Sequence, residues 1–226
     1  MKKIIEISNV EKIYSENEVA VHALRGVSLD IEEKDFLVLS GASGSGKTTL
    51  LNVIGTLDAA TSGDVKIEGE DISNLSEKAL SKLRLNNIGF VFQAYNLIPV
   101  LTAIENVEFA MVLQKVPEKI RREKSMNVLE ELGIGELANK RPNQMSGGQQ
   151  QRVAVARAIV TDPLLVLADE PTANLDSEAS EVLLDIMKKM NEEKGITFVF
   201  ASHDTQVMER AKRLITLKDG VIISEK

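Results

Sequence analysis

The stretch from Gly41 to Leu50, GASGSGKTTL, limits what this chain can fold into more than any other feature. It fits the pattern G-x-x-x-x-G-K-[ST]. Before it runs Phe36-Leu37-Val38-Leu39, a short apolar run of buried-strand type. After it, Leu50, Leu51, Val53, Ile54 and Leu57 recur at helical spacing. Strand, glycine loop and helix form the context in which such a pattern cradles phosphate. Gly41, Gly44 and Gly46 let the backbone approach a ligand closely, so that several N–H groups point inward as an anion nest. A helix beginning near Lys47 adds its positive end. Lys47 supplies a mobile cation for β- and γ-phosphates, and the Thr48 hydroxyl is placed to ligate Mg²⁺.

The chain has 226 residues, which suits one large domain or a domain with an inserted lobe. Hydrophobic residues make up 43%, enough for a sizeable core. Cysteine is absent, which excludes disulfides and thiolate zinc sites and fits a reducing compartment. The start, MKKIIEISNV, has no apolar core of the kind a signal peptide needs. No apolar run approaches the ~20 residues that span a bilayer. The expectation is a soluble chain whose membrane role, if it has one, runs through a partner. A net charge of −7 argues against a nucleic-acid partner. The cluster Lys119, Arg121, Arg122 and Lys124 reads as the solvated face of a mixed-charge helix.

Residues 3–10, 19–31 and 64–70 read as short antiparallel strands. Residues 77–85 read as a helix, and Ile88 to Phe92 as a buried strand ending at Gln93. Between Ala94 and Met145 the apolar residues switch to helical spacing. Thr102-x-x-Glu105 is a capping box. It opens a helix with Ile104, Val107 and Met111 on one face, and Phe109, Val112 and Leu113 elsewhere. A second helix follows Pro117 and ends at Gly133. Strand character returns at Leu164 to Ala168. A helix from about Ser177 places Val182, Leu183, Ile186, Met187 and Met190 on one face. Ile196 to Ala201, Arg213 to Leu217 and Val221 to Ser224 complete the strands, with a short helix after Asp204. Continuous apolar strands alternating with helices predict an α/β fold with a mainly parallel sheet covered on both faces. The expected division is an α/β core over 1–92 and 159–226, which includes an N-terminal antiparallel β lobe, and an inserted helical subdomain over about 93–158.

Two further motifs carry chemistry. In LLVLADE, Leu164 to Glu170, Asp169 falls at the carboxyl end of a buried strand, where ligands of parallel sheets bind. Asp169 can hold Mg²⁺ through water, and Glu170 can orient or deprotonate an attacking water. A solvated acidic loop is the plain alternative. Ser146-Gly147-Gly148-Gln149 opens a second helix whose exposed first N–H groups can bind an anion, with no lysine of its own.

In order and spacing, Gly41 to Thr48, Gln93, Ser146 to Gln149, Asp169-Glu170 and His203 resemble the motifs of ATP-binding cassette (ABC) ATPases, over nearly the whole chain. The resemblance implies a P-loop NTPase core of the ABC ATPase fold, ATP and Mg²⁺ as cofactors, and ATP hydrolysis. It implies a phosphate cradle of Gly41, Ala42, Ser43, Gly44, Ser45, Gly46, Lys47, Thr48 and Thr49, and metal contacts from Thr48, Gln93 and Asp169. Gln93 is similar to the family's Q-loop glutamine and Glu170 to its catalytic glutamate. His203 is similar to the switch histidine, and Lys47, Gln93 and His203 join Glu170 in catalysis. Ser146, Gly147, Gly148 and Gln149 resemble the signature motif that closes on ATP held by a second copy. Asp176 resembles the D-loop aspartate and fits a helix cap equally well. Tyr14 is similar in position to the adenine-stacking aromatic, with simple packing as the alternative. His22 has no motif around it and reads as incidental. Met145 and Ala173-Asn174-Leu175-Asp176 depart from the commoner leucine and Ser-Ala-Leu-Asp.

Finer features resemble cassettes of the lipoprotein-release and macrolide-export type: Ile88 to Gln93, Asn96 to Pro99, Leu101 to Ala103 with Glu105 to Val107, and Pro142 to Gln144. The implied partners are a second copy of the chain, head to tail around two ATP, and a separate integral membrane permease. The implied place is cytoplasmic, on the inner face of the membrane. The apolar stretch Phe92 to Leu101 reads as a groove for a permease helix, or else as a loop buried on its own lobe. Work in signalling or cell division through a membrane partner is the alternative to transport. Soluble ABC proteins of DNA repair or translation usually bring zinc cysteines, coiled-coil insertions or a tandem cassette, which this chain lacks. No guanine-reading N-K-x-D motif is present.

Overall fold

The computed structural model describes residues 2–16 and 19–226. The chain begins with β1 (Lys3–Glu16), β2 (Val19–Glu32) and β3 (Phe36–Ser40) and continues through α1 (Lys47–Ile54), β4 (Ser62–Ile67), β5 (Glu70–Asp71), α2 (Glu77–Asn87) and β6 (Ile88–Val91). Then come α3 (Ala103–Leu113), α4 (Glu118–Glu131), two single 3₁₀ turns and α5 (Gly147–Ile159). The chain closes with β7 (Leu165–Asp169), α6 (Ser177–Lys194), β8 (Phe198–Ala201), α7 (Thr205–Glu209), β9 (Arg213–Lys218) and β10 (Val221–Glu225).

Two sheets form. The smaller is antiparallel, in the order β2-β1-β4-β5, and the larger runs β10-β9-β3-β8-β7-β6. In the larger sheet only the edge strand β10 is antiparallel to its neighbour. Its central strands are continuously apolar because both faces are covered. On β3, Phe36 and Val38 enter the core shared with α3, α5 and α6, while Leu37 and Leu39 enter the core shared with α1 and the smaller sheet. Phe198 and Phe200 against Val199 and Ala201 on β8 repeat that alternation. Parallel pairing then sets the carboxyl ends of β3, β6, β7 and β8 along one edge. From that edge leave the loops carrying Gly41, Gln93, Glu170 and His203.

Local sequence signals account for the helix ends. Thr102 Oγ1 accepts from Glu105 N, and Glu105 Oε2 accepts from Thr102 N at 2.8 Å, the expected capping box. Ile104, Val107 and Met111 are buried, whereas Phe109, Val112 and Leu113 are exposed. α4 gives way to Gly133 at φ 66°, a left-handed residue of the kind that stops helices.

Several expectations need correction. β1 does not end near residue 10 but runs to Glu16, because β2 continues to pair with it up to Glu16↔Val19. The strand expected over 64–70 is a hairpin, broken where Glu68 (φ 50°) and Gly69 (φ 81°) turn the chain between β4 and β5. β8 starts at Phe198 rather than Ile196. On α6, Val182 is 41% exposed and Leu184 is buried in its place. Leu183, Leu184, Met187 and Met190 make the buried stripe, which Val182 flanks. Arg121 and Arg122 are not a bare solvated face, because both reach the buried carboxylate of Glu108 on α3. The Phe92–Leu101 loop is partly covered on its own lobe, where Leu97 packs against the core that holds Ile104 and Val107, while Val100 is 72% exposed.

Candidate active site

The loop between β3 and α1 turns back on its own lysine. Lys47 is only 7% exposed, and its Nζ donates to Gly41 O at 2.8 Å and Ala42 O at 3.2 Å. An ammonium has three protons, so one remains for an incoming anion. A Cβ on Gly41 would lie 2.3 Å from Leu217 O, and one on Gly46 would lie 2.7 Å from Ala23 O. Their φ values of 146° and 104° are likewise ones that side chains disfavour. Space beside Gly44 is open, with no atom of the described residues within 4 Å of a built Cβ. The first N–H groups of α1 have no helical acceptor and lie at the same turn. Among the described residues the buried Ser45 hydroxyl finds no hydrogen-bond partner. A tight wall, free N–H groups, an unused ammonium proton and an orphan hydroxyl together fit a polyphosphate.

A cavity of about 550 Å³ opens over this loop, within the ~300–1,000 Å³ typical of small-molecule sites. It brings together Tyr14, Lys47, Thr48, Gln93, Glu170 and His203, with Ser43, Gly44, Gly46 and Thr49 on its floor. It also takes in Val21, His22 and Ala23 from β2. His22 is therefore not incidental in position: the long β1–β2 hairpin carries it over the loop, which local sequence gave no means of seeing. Tyr14 is braced at the cavity's side. Its hydroxyl donates to Asp58 Oδ2 at 2.6 Å, and Lys12 Nζ stands 4.8 Å from its ring centre.

Thr48 Oγ1 donates to Asp169 Oδ1 at 3.1 Å, so the two oxygens expected around Mg²⁺ already meet. Burial, and after it the charge of Glu170, push the Asp169 carboxyl above its ordinary pKa, while Thr48 and Lys47 pull the other way. A cation would relieve this strain. Among the described residues no cluster of three His, Cys, Asp or Glu surrounds it. That suits Mg²⁺, which takes one or two protein oxygens and completes its shell with phosphate and water.

Glu170 sits at φ 43°, a conformation that costs a non-glycine residue about 1–3 kcal/mol. Three contacts hold it: its N–H to Ala201 O at 2.8 Å, Ser202 Oγ to Oε2 at 3.0 Å, and His203 Nδ1 to Oε1 at 2.7 Å. Gln93 is exposed, and its carbonyl accepts from Asn174 Nδ2 at 2.9 Å.

Ser146 to Gln149 do not line this cavity. Ser146 caps α5 in a capping box with Gln149, and Gly147 lies against the Tyr95 hydroxyl. Asp176 caps α6 by accepting from Ala179 N at 2.8 Å, and a cavity of about 560 Å³ lies between that cap and Glu170.

Comparison with known proteins gives the family. The ABC transporter family matches residues 24–173. An ABC transporter ATP-binding protein of Thermotoga maritima is 47% identical over 98% of this chain and 94% of its own length. The macrolide export ATP-binding/permease protein MacB of Aggregatibacter actinomycetemcomitans is 45% identical, but this chain spans only 34% of it. The ABC transporter cassette MJ0796 of Methanocaldococcus jannaschii, solved as a dimer, superposes with a TM-score of 0.91 at 44% identity, covering 99% of this chain and 98% of that one. The same cassette has been solved in a post-hydrolysis state bound to ADP and Pi, also with a TM-score of 0.91. The chain thus belongs to the ABC transporter family, and it is the family's ATPase cassette.

Proposed function

We propose that the chain hydrolyses ATP as a head-to-tail dimer and drives a separate integral membrane permease of the macrolide-export or lipoprotein-release type from the cytoplasmic face. One observation carries the dimer: Ser146 to Gln149, the second helix start suited to an anion, do not line the cavity that opens over Lys47. A second copy supplies Ser146 to Gln149 to each phosphate cradle, so ATP is held between subunits.

In this reading the Gly41–Thr49 backbone and Lys47 bind the β- and γ-phosphates, and Tyr14 offers its ring to adenine. Thr48, Asp169 and Gln93 would hold Mg²⁺, which when bound neutralises charge developing on the phosphates. Glu170 accepts a hydrogen bond from the attacking water and takes its proton as the water oxygen bonds to the γ-phosphorus. The bond to the ADP oxygen breaks in the same displacement. His203 makes one of the two side-chain contacts to the Glu170 carboxylate and reaches toward the γ-phosphate. MacB, in which a cassette of this kind and a permease carry one name, supports a permease partner. So does a groove of about 360 Å³ floored by Leu57, Phe90 and Phe92 beside the Gln93 loop, which suits a docking helix.

Glu170→Gln should bind ATP, fail to turn it over and run as a dimer on a sizing column. A monomer at saturating ATP would remove the dimer from this reading. Full turnover in Lys47→Ala would remove the site.

A further inference from the structure

Helix α5 begins at the Ser146 cap, and its second turn sends a polar side chain inward beside the apolar Val153 and Ala154. Gln151 is 0% exposed. Its Nε2 donates to Pro171 O at 2.8 Å and reaches Phe92 O at 3.4 Å. Pro171 directly follows Glu170, and Phe92 directly precedes Gln93. One amide group therefore bridges the two loops that leave β6 and β7 with Gln93, assigned to Mg²⁺, and Glu170, assigned to the attacking water.

We propose that Gln151 is a positioning residue for hydrolysis, tying the Gln93 loop and the Glu170 loop to the helix whose first turn is Ser146 to Gln149. Two further observations support it. Gln151 Oε1 is buried with no hydrogen-bond partner among the described residues, a costly arrangement. An apolar side chain of equal length would avoid that cost if the position served packing alone, so the donor is what the position keeps. The far end of α5 grips the same loop again. Arg157 donates to Tyr95 O at 2.9 Å and to Asn96 O at 2.5 Å. Tyr95 and Asn96 stand at φ 60° and 50°, consecutive left-handed residues that need such a hold. Gln93 is thus suspended between two anchors on one rigid helix. An anion bound at that helix's first turn acts through the same helix on both loops.

The inference rests on the roles proposed for Gln93 and Glu170. Its test is Gln151→Met in the full chain, with steady-state ATPase kinetics and urea unfolding measured side by side. The expected result is kcat lower by about tenfold or more, with KM for ATP within about twofold and the unfolding midpoint retained. Gln151→Leu should give the same split. The proposal is overturned if kcat stays near wild type, if the loss follows a matching rise in KM, or if both variants fail to fold. Glu170→Gln in the same assay separates the two claims. An active Glu170→Gln sinks the site assignment, whereas an inactive one beside a full-rate Gln151→Met sinks only the role of Gln151.

Discussion

His203 Nδ1 lies 2.7 Å from Glu170 Oε1, while the Ser202 hydroxyl donates to Glu170 Oε2 at 3.0 Å. Both carboxylate oxygens are held from the loop after β8, but by unequal partners. The His203 side chain is 73% exposed, whereas Ser202 is fully buried. Ser202 is therefore the fixed anchor that sets the carboxylate's direction. Ser202→Ala should lower kcat by about tenfold and leave KM for ATP unchanged, since hydrogen bonds to charged groups carry ~1.5–3 kcal/mol. Steady-state kinetics checks it, and an unchanged kcat would show that the anchor is not used.

Lys12, Tyr14 and Asp58 form a second braced unit. Lys12 Nζ donates to Asp58 Oδ1 at 2.5 Å, and the Tyr14 hydroxyl donates to Oδ2 at 2.6 Å. Burial alone would raise the Asp58 pKa, but the Lys12 and Tyr14 hydrogen bonds outweigh it and hold the carboxyl below its ordinary 3.8. A depressed folded pKa contributes stability above the unfolded value and loses it as pH falls through the folded one. The melting-temperature gap between wild type and Asp58→Asn should therefore be steady above about pH 5 and close below about pH 4. Thermal melts across pH check this, and a gap that persists in acid would discard it. Asp58→Asn should also raise KM for ATP, because the Tyr14 ring loses its brace.

Contiguous signals were legible in the sequence. Gly41 to Thr48 needed only its flanking strand and helix, and the carboxyl-end position of Asp169-Glu170 follows from a buried parallel strand. The capping boxes at Thr102 and Ser146 depend on residues three apart, so they too could be read locally. Long-range pairing hid the rest. Nothing near His22 signals that the β1–β2 hairpin extends to Glu16↔Val19 and lays Val21 to Ala23 over the loop. Helical spacing could not show that Gln151, among three consecutive glutamines, is the one turned inward. Val182 failed for the same reason: periodicity gives the stripe but not its edge.

Glu108 on α3 is a buried carboxylate held by cations from α4, with Arg122 Nη1 at 3.3 Å and Arg121 Nε at 3.6 Å. Removing both cations strands a buried charge, a change that costs roughly 3–5 kcal/mol when the pairing is close. Arg121→Ala with Arg122→Ala should lower unfolding free energy by about 2–4 kcal/mol. Glu108→Gln placed on that background should recover part of the loss by removing the charge. Urea unfolding of the three chains checks both steps. No recovery would mean that the arginine stems, rather than their charge, carry the contact.

Asn106 makes the sharpest prediction about the loop beside the proposed groove. It is fully buried on α3, yet all its polar capacity goes to the residues just before that helix. Its Oδ1 accepts from Ile98 N at 2.7 Å. Its Nδ2 is shared among Thr102 O at 2.9 Å and Ile98 O and Leu101 O at 3.2 Å each. One side chain thus satisfies the backbone of a turn that has no strand or helix to do so. Asn106→Leu fills a similar space but takes the side-chain partner from Ile98 N and Leu101 O, each costing ~1–3 kcal/mol, while Ile98 O and Thr102 O keep the backbone donors Leu101 N and Asn106 N. The unfolding free energy should fall by roughly 2–4 kcal/mol. The release should also be local, with new protease cleavage between Ile98 and Leu101 while ATP binding at the distant Lys47 turn is retained. If cleavage instead appeared throughout the chain, or ATP affinity fell in step, Asn106 would be a support of the whole fold rather than the clasp of this loop.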